Sequence, residues 1–147
     1  MSHKPIKALT VRQPWAWAIA LAGKDVENRS WRTGYRGPLA IHAGLGLDSP
    51  GDLPSAALAT FNRSGYVLPA GAVVAVAELA GCHMAAKAPG CGELLCSDWA
   101  VAGQWHWRLA HVRPLAEPVR CRGRLGLWQL APEAAELVAA QQRGSRA

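Results

Sequence analysis

The sequence predicts an α+β, mainly β domain: a small β-barrel with flanking helices rather than a doubly wound sheet. Three observations carry this. Short apolar runs bounded by Gly and Pro turns outnumber the helical runs. The strands do not alternate regularly with long helices, as a parallel α/β sheet would require. The length of 147 residues, half of them apolar, fits one domain with one core.

The elements follow in order. Ile6 to Val11 alternates enough for a first strand. Pro14 suits a helix start, where its missing N–H costs little, and Trp15 to Ala22 runs as a helix to a C-terminal Gly23. On that helix Trp15 pairs with Ile19 and Trp17 with Leu21, on different faces, so one indole is core and the other lies near the surface. Lys24 to Trp31 reads as a strand, with Asp25, Glu27 and Arg29 on one face and Lys24, Val26 and Asn28 on the other. The turn Thr33 to Pro38 leads to a short strand, Leu39 to Ala43, carrying His42. Leu53, Ala57, Leu58 and Phe61 recur at helical spacing within Asp52 to Asn62. A turn at Leu68 to Gly71 precedes a buried strand, Ala72 to Leu79, in which Glu78 needs a partner or an exposed edge. Cys82 to Gly103 gives no clear pattern. Gln104 to Val112 is a strand, Pro114 to Gly126 a Pro- and Arg-rich connection, and Leu127 to Leu130 a last short strand. Pro132 to Gln142 is a helix, followed by a fraying tail. Residues 1–131 are taken as one domain, with 132–147 a helix and tail packed on it or frayed.

Sixteen Lys and Arg oppose ten Asp and Glu, a net charge of +6, which favours an anionic partner, nucleic acid first. Mean hydropathy near zero excludes a disordered chain. No signal-like segment or membrane-length apolar run occurs, so no membrane partner is expected. Four cysteines are too few for a disulfide framework, and a reducing cytoplasm is the expected location. Cys82, His83, Cys91 and Cys96 lack Cys-x-x-Cys spacing, so no metal site is assigned.

The chemistry concentrates between Arg12 and Gly37. Three tryptophans (Trp15, Trp17, Trp31) stand among Arg12, Lys24, Arg29, Arg32 and Arg36, a combination suited to a nucleobase and its phosphate. Trp15 or Trp31 supplies a stacking face. Lys24, Arg29 and Arg36 suit phosphate, while Gln13, Glu27 and Asn28 suit base edges. Arg12, Ser30 and His42 complete the set of candidate nucleic-acid-binding residues. Lys24 and Glu27 are also the candidate catalytic pair, against the simpler reading of a surface ion-pair cluster. Trp105, Trp107 and Trp128 read as core, and Trp99 as a stacking lid. Arg113, Arg120, Arg122 and Arg124 alternate like a phosphate stripe on one strand face.

Several separated motifs resemble the ASCH domain family. They are Gln13-Pro14-Trp15-Ala16, Gly23 to Trp31, Tyr35-Arg36-Gly37-Pro38-Leu39 and Leu68-Pro69-x-Gly71. Cys82, Trp107-x-Leu109 with Pro114, and Cys121 to Trp128 continue the match, so that it covers about residues 6–131. The subgroup is similar to the ASCH module of activating signal cointegrator-1. The resemblance implies a PUA-like β-barrel with a cleft beside the Gln-Pro-Trp helix. It implies nucleic-acid binding, RNA more than DNA for a stand-alone protein. Some members are ribonucleases, for which a divalent metal such as Mn or Mg would be the cofactor; otherwise none is expected. Others are amidohydrolases acting on an acylated cytidine, in which a Lys is followed three residues on by a nucleophilic Thr and then by Arg. Lys24 and Arg29 match that pattern, but Glu27 stands at the Thr position and cannot replace a hydroxyl nucleophile without changing the chemistry. A binding module is therefore the main expectation. The alternatives are a metal-dependent ribonuclease or nucleoside amidohydrolase centred on Lys24 and Glu27, and a small-anion sensor. Sequence alone leaves the oligomeric state open.

Overall fold

A computed structural model describes residues 5–65, 67–84 and 97–144. The strands are β1 (Lys7–Gln13), β2 (Val26–Arg29), β3 (Gly37–Leu47), β4 (Ala72–Met84), β5 (Trp105–Arg120) and β6 (Leu127–Gln129). The helices are α1 (Trp15–Leu21), α2 (Ser55–Ser64) and α3 (Pro132–Gly144), with a 3-10 turn at Pro50–Asp52. The order along the chain is the one the sequence predicts.

All six strands form one sheet in the order β2-β5-β4-β3-β1-β6. β1 runs parallel to β3 and antiparallel to β6; the other neighbours are antiparallel. The parallel pair requires a crossover, and α1 with β2 supplies it. No ladder joins β2 to β6 among the described residues, so the sheet is barrel-like but not closed. The seven-residue α1 nonetheless packs against β1, β3, β4 and β5. Four adjacent strands span roughly 14 Å, so the sheet curls around this short helix.

Period-2 alternation divides the core. Leu9, Leu39, Ile41, Leu79 and Trp107 face α1, through Ala16 and Ile19. Ala8, Ala40, Val76, Val119 and Trp128 face the opposite way, onto Ala134 and Val138 of α3. Trp17 packs separately with Leu53 and Ala57, and its ring meets Phe61 edge-on at 5.1 Å. Trp17 is thus the core indole of α1, and Trp15 is half-buried.

Three strands are longer than the sequence suggests. The Pro-rich stretch after Val112 continues β5 to Arg120 instead of forming a connection. The β2 ladder covers only Trp105 to Arg108, and beyond it the described contacts to that edge of β5 are isolated ones, Leu109 to the Asp25 carbonyl and the Glu117 backbone to Gln141 of α3, so no second strand ladder there excludes Pro114 and Pro118. His111, at φ 51°, sits where the β4–β5 register shifts, and this bulge hides the strand's period. β3 runs on to Leu47 and β4 to Met84. β2 is shorter than predicted, because Lys24 and Trp31 lie outside its ladder. Glu78 lies on the central strand β4, between Pro38 and Ala110, and escapes burial by facing solvent from the sheet surface rather than by sitting at an edge. No helix is long and apolar enough to cross a membrane among the described residues.

Candidate nucleic-acid interface

The helix α1 is anchored by Gln13. Its Oε1 accepts from the Trp17 amide at 2.8 Å, and its Nε2 donates to the Pro69 carbonyl at 3.1 Å. Both ends of this buried amide are therefore spent on joining β1, α1 and the turn before β4. Gln13 positions the helix and is not among the residues lining the cavity beside it.

Beside α1 lies a cavity of about 480 Å³, within the usual range for small-ligand sites. Lys24 and Glu27 are buried at its floor, 3% and 7% exposed. Lys24 Nζ lies 3.5 Å from Glu27 Oε1 and donates to the Val26 carbonyl. Arg29 Nε donates to Glu27 Oε2 at 2.9 Å, and its Nη2 to the Thr10 carbonyl at 2.8 Å. Two of the three charges are buried and Arg29 is half-buried over them, so the cluster is not a solvated surface one. Burial pushes the Lys24 pKa below its ordinary value of 10.5, while Glu27 pulls it back up.

Two indoles flank the Lys24 ammonium. Trp15 and Trp99 each hold their ring centroid 5.8 Å from Nζ. Trp15 is locked from behind: its Nε1 donates to Asp48 Oδ2 at 2.8 Å, and Arg12 Nε grips Oδ1 of the same carboxylate at 2.8 Å. These bonds, Trp15 first, hold the Asp48 carboxyl below its ordinary value. Trp99 is placed by Asn28, whose Nδ2 donates to the Trp99 carbonyl at 2.9 Å and whose Oδ1 accepts from the Val101 amide at 2.8 Å. Asp25 adds a hydrogen bond from Ser97. The strand β2 thus carries the charged floor and clamps the loop that supplies the second indole.

The cavity brings together Arg12, Trp15, Lys24, Glu27, Asn28 and Arg29. It also recruits Trp99, the predicted stacking lid, and Thr10, Asp48, Asp52 and Asp98, which were outside the predicted site. The other candidates lie elsewhere. Trp31 caps the core: its ring meets Trp107 edge-on at 4.7 Å, and its carbonyl accepts from Trp107 Nε1 at 3.1 Å. Arg36 folds back onto the carbonyls of Thr33 and Tyr35, and Ser30 is exposed outside the cavity lining. His42 is fully buried between Thr10 Oγ1, at 3.2 Å, and the Cys121 carbonyl, at 2.8 Å.

The aromatic cleft is not the basic one. Arg12, Lys24 and Arg29 are offset there by Glu27, Asp48, Asp52 and Asp98. Nor do Arg120, Arg122 and Arg124 stripe one strand face. Arg120 ends β5, and the other two sit in the loop to β6, where Gly123 tucks against Thr10 and His42. Among the described residues no three His, Cys, Asp or Glu side chains are grouped to hold a metal ion. Cys91 and Cys96 lie outside the described residues.

A curled six-stranded sheet with a helix plugging its concave face, and a cleft where that helix meets the sheet, defines a PUA-like α+β domain. The pattern of the ASCH domain matches residues 9–118, and the chain belongs to that family. ASCH domains are associated with nucleic-acid binding in general. The chain is also similar in fold to the crystal structure of ASCH from Zymomonas mobilis. The TM-score is 0.54 at 14% identity, over 92% of this chain and 94% of that one. A point mutant of the same protein matches with a TM-score of 0.55 at 13% identity, over 93% of this chain and 98% of that one. No curated protein matches the chain.

Proposed function

We propose that the chain binds single-stranded nucleic acid, RNA before DNA, by taking one base between Trp15 and Trp99. The placement of both indoles around the Lys24 ammonium, at the mouth of a nucleotide-sized cavity, carries this reading. Lys24 offers donors and Glu27 acceptors to the base edge, side by side. Glu27 keeps acceptor capacity because a carboxylate has about four lone-pair sites. Asp52 and Asp98 have no ion-pair partner among the described residues and offer acceptors for a 2′-hydroxyl, which only RNA presents. The finer kinship with the cointegrator module rests on the sequence motifs alone.

The test is fluorescence anisotropy with labelled RNA and DNA octamers at low salt. Trp15→Ala and Trp99→Ala should each lose about 1–3 kcal/mol of binding, the range for one stacked base. Trp31→Ala should leave affinity unchanged. Absence of oligonucleotide binding by the parent protein sinks the proposal, and so does full affinity in both indole variants.

Catalysis is the second reading, favoured by the burial that lowers the Lys24 pKa toward that of a general base. Thr10 is the single hydroxyl residue lining the cavity among those described, and its Oγ1 is already engaged by His42, Trp128 and the Arg124 carbonyl. Hydrolysis here would therefore use water, not an acyl-enzyme. Glu27, Asp48, Asp52 and Asp98 line the cavity, so a divalent ion in a metal-assisted mechanism would have to be held by one or two of these carboxylates together with a substrate phosphate. Under the binding reading, RNA and an acylated cytidine are both returned intact, with or without manganese or magnesium.

A further inference from the structure

We propose that a second cavity, contiguous with the aromatic cleft, is the groove for the phosphodiester backbone on one side of the bound base. The ligand is then an oligonucleotide strand rather than a free nucleoside. This rests on the base-binding reading above and adds the ligand's length and direction of exit.

The second cavity measures about 580 Å³. Thr10, Arg12 and Arg29 line both cavities, so the two adjoin along these side chains, and a strand leaving the indole pair over them enters the second cavity directly. Beyond them stand Arg122 and Arg124, and no acidic residue lines this cavity among the described residues. The positive charge missing from the aromatic cleft is concentrated here. The four guanidinium groups are not equivalent. Arg12 is committed to Asp48, and Arg29 to Glu27 and the Thr10 carbonyl. Arg122 and Arg124 are exposed, and their side chains have no hydrogen-bond or ion-pair partner among the described residues. Unopposed arginines above a concave surface are suited to bidentate phosphate contacts.

The wall beneath them is rich in glycine. A Cβ at Gly123 would sit 2.7 Å from His42 Cε1 and 2.9 Å from Thr10 Oγ1. A Cβ at Gly44 would sit 2.8 Å from Thr10 Cγ2. The loop is therefore pressed onto β1 and β3, and Thr10 Oγ1 donates to the Arg124 carbonyl to hold it there. That contact ties the arginine loop to β1, the strand that also borders the aromatic cleft. Leu45 and Leu125, 87% and 98% exposed, line the same cavity and give apolar faces to a neighbouring sugar or base.

The test compares the parent protein with Arg122→Ala/Arg124→Ala. Both residues lie in an exposed loop, so the fold is kept. The probes are an RNA octamer, the four free nucleosides, inorganic phosphate, and phosphatidylserine vesicles. The double variant should bind the octamer about tenfold more weakly, with a log–log salt slope shallower by about 1.4, the loss of two single-strand phosphate contacts at about 0.7 each. Arg122→Lys/Arg124→Lys should recover most of the slope. Nucleoside affinity should be equal in all three proteins and weaker than octamer affinity. Unchanged octamer affinity and slope in the Ala variant overturn the groove while leaving the base pocket standing. Inorganic phosphate binding as tightly as the octamer makes this an anion pocket, and vesicle binding that alone needs the arginines makes it a membrane contact; either result overturns the proposal. Failure of both octamer and nucleosides to bind the parent protein removes the underlying reading instead.

Discussion

Trp107→Ala is expected to lose about 3–5 kcal/mol of stability, the cost of truncating a fully buried indole. Trp107 has no exposed surface. It lies among Leu39, Ile41, Leu79 and Ile19 and holds Trp31 edge-on above it. Small domains have about 5–15 kcal/mol in total, so this one change removes at least about a fifth of that margin. Trp107 also stands opposite Glu27 in the β2–β5 ladder and opposite Cys82 in the β4–β5 ladder. A cavity there loosens the strand that floors the cleft, so nucleic-acid affinity should fall with stability. Trp15→Ala should separate the two effects, losing affinity at little cost in stability, because its ring is half-buried at the cleft edge. Urea midpoints for the two variants check this. A loss below about 1 kcal/mol for Trp107→Ala would mean that the site collapses fully around the missing ring.

The fold was largely legible because local signals agreed with it. Alternation marked Trp105, Trp107 and Leu109, and Gly23 ended α1 where a C-terminal glycine should. Strand ends were not legible where bulges and an edge without a second strand ladder let prolines continue β5. The site was read in part because β2 carries its floor in one short motif. Lys24, Glu27 and Arg29 are neighbours in sequence and remain neighbours in space. Trp99 was legible as an aromatic lid but not in its placement, and Asp48 and Asp98 were not legible at all: they come from loops whose approach depends on long-range hydrogen bonds, such as those from Asn28 across 71 and 73 residues. Nothing local announces such contacts. Trp31 shows the converse: it sits in the charged motif by sequence, but the chain leaves the ladder after Arg29 and turns its ring onto Trp107. The sequence offered two basic clusters, the Arg12 to Arg36 stretch and the arginines around Arg122, and the structure pairs Arg12, Lys24 and Arg29 of the first with carboxylates. Glu27 pairs with both Lys24 and Arg29, whereas Arg122 and Arg124 stay unopposed among the described residues.

Glu27→Gln is expected to lose about 3–5 kcal/mol, the cost of breaking a buried ion pair from one side. A cluster on an exposed edge strand would have predicted an unchanged melting temperature. Burial of Lys24 and Glu27 reverses that. Glu27 is the sole anion within reach of both Lys24 and Arg29 among the described ion pairs. Without its charge, the ammonium keeps the Val26 carbonyl but stays in a site that has already lowered its pKa. Lys24→Met should cost less, because Glu27 retains Arg29 and the methionine fills the lysine's volume. The pH dependence distinguishes the two. The folded pKa of Lys24 lies below its unfolded value of 10.5, and between those values the unfolded chain binds more protons. The penalty for burying the charged amine is therefore full below the folded pKa and disappears as pH rises toward 10.5. Parent stability should rise through that window relative to Lys24→Met, which lacks the group. In Glu27→Gln the attraction that raises the Lys24 pKa is gone, so the window opens at lower pH and the recovery is larger. Urea midpoints of the three proteins at neutral and alkaline pH, taken as differences, measure this. Parallel pH profiles would show that Lys24 is solvated in the folded chain, and the cleft would then lose the buried cation around which its two indoles are set.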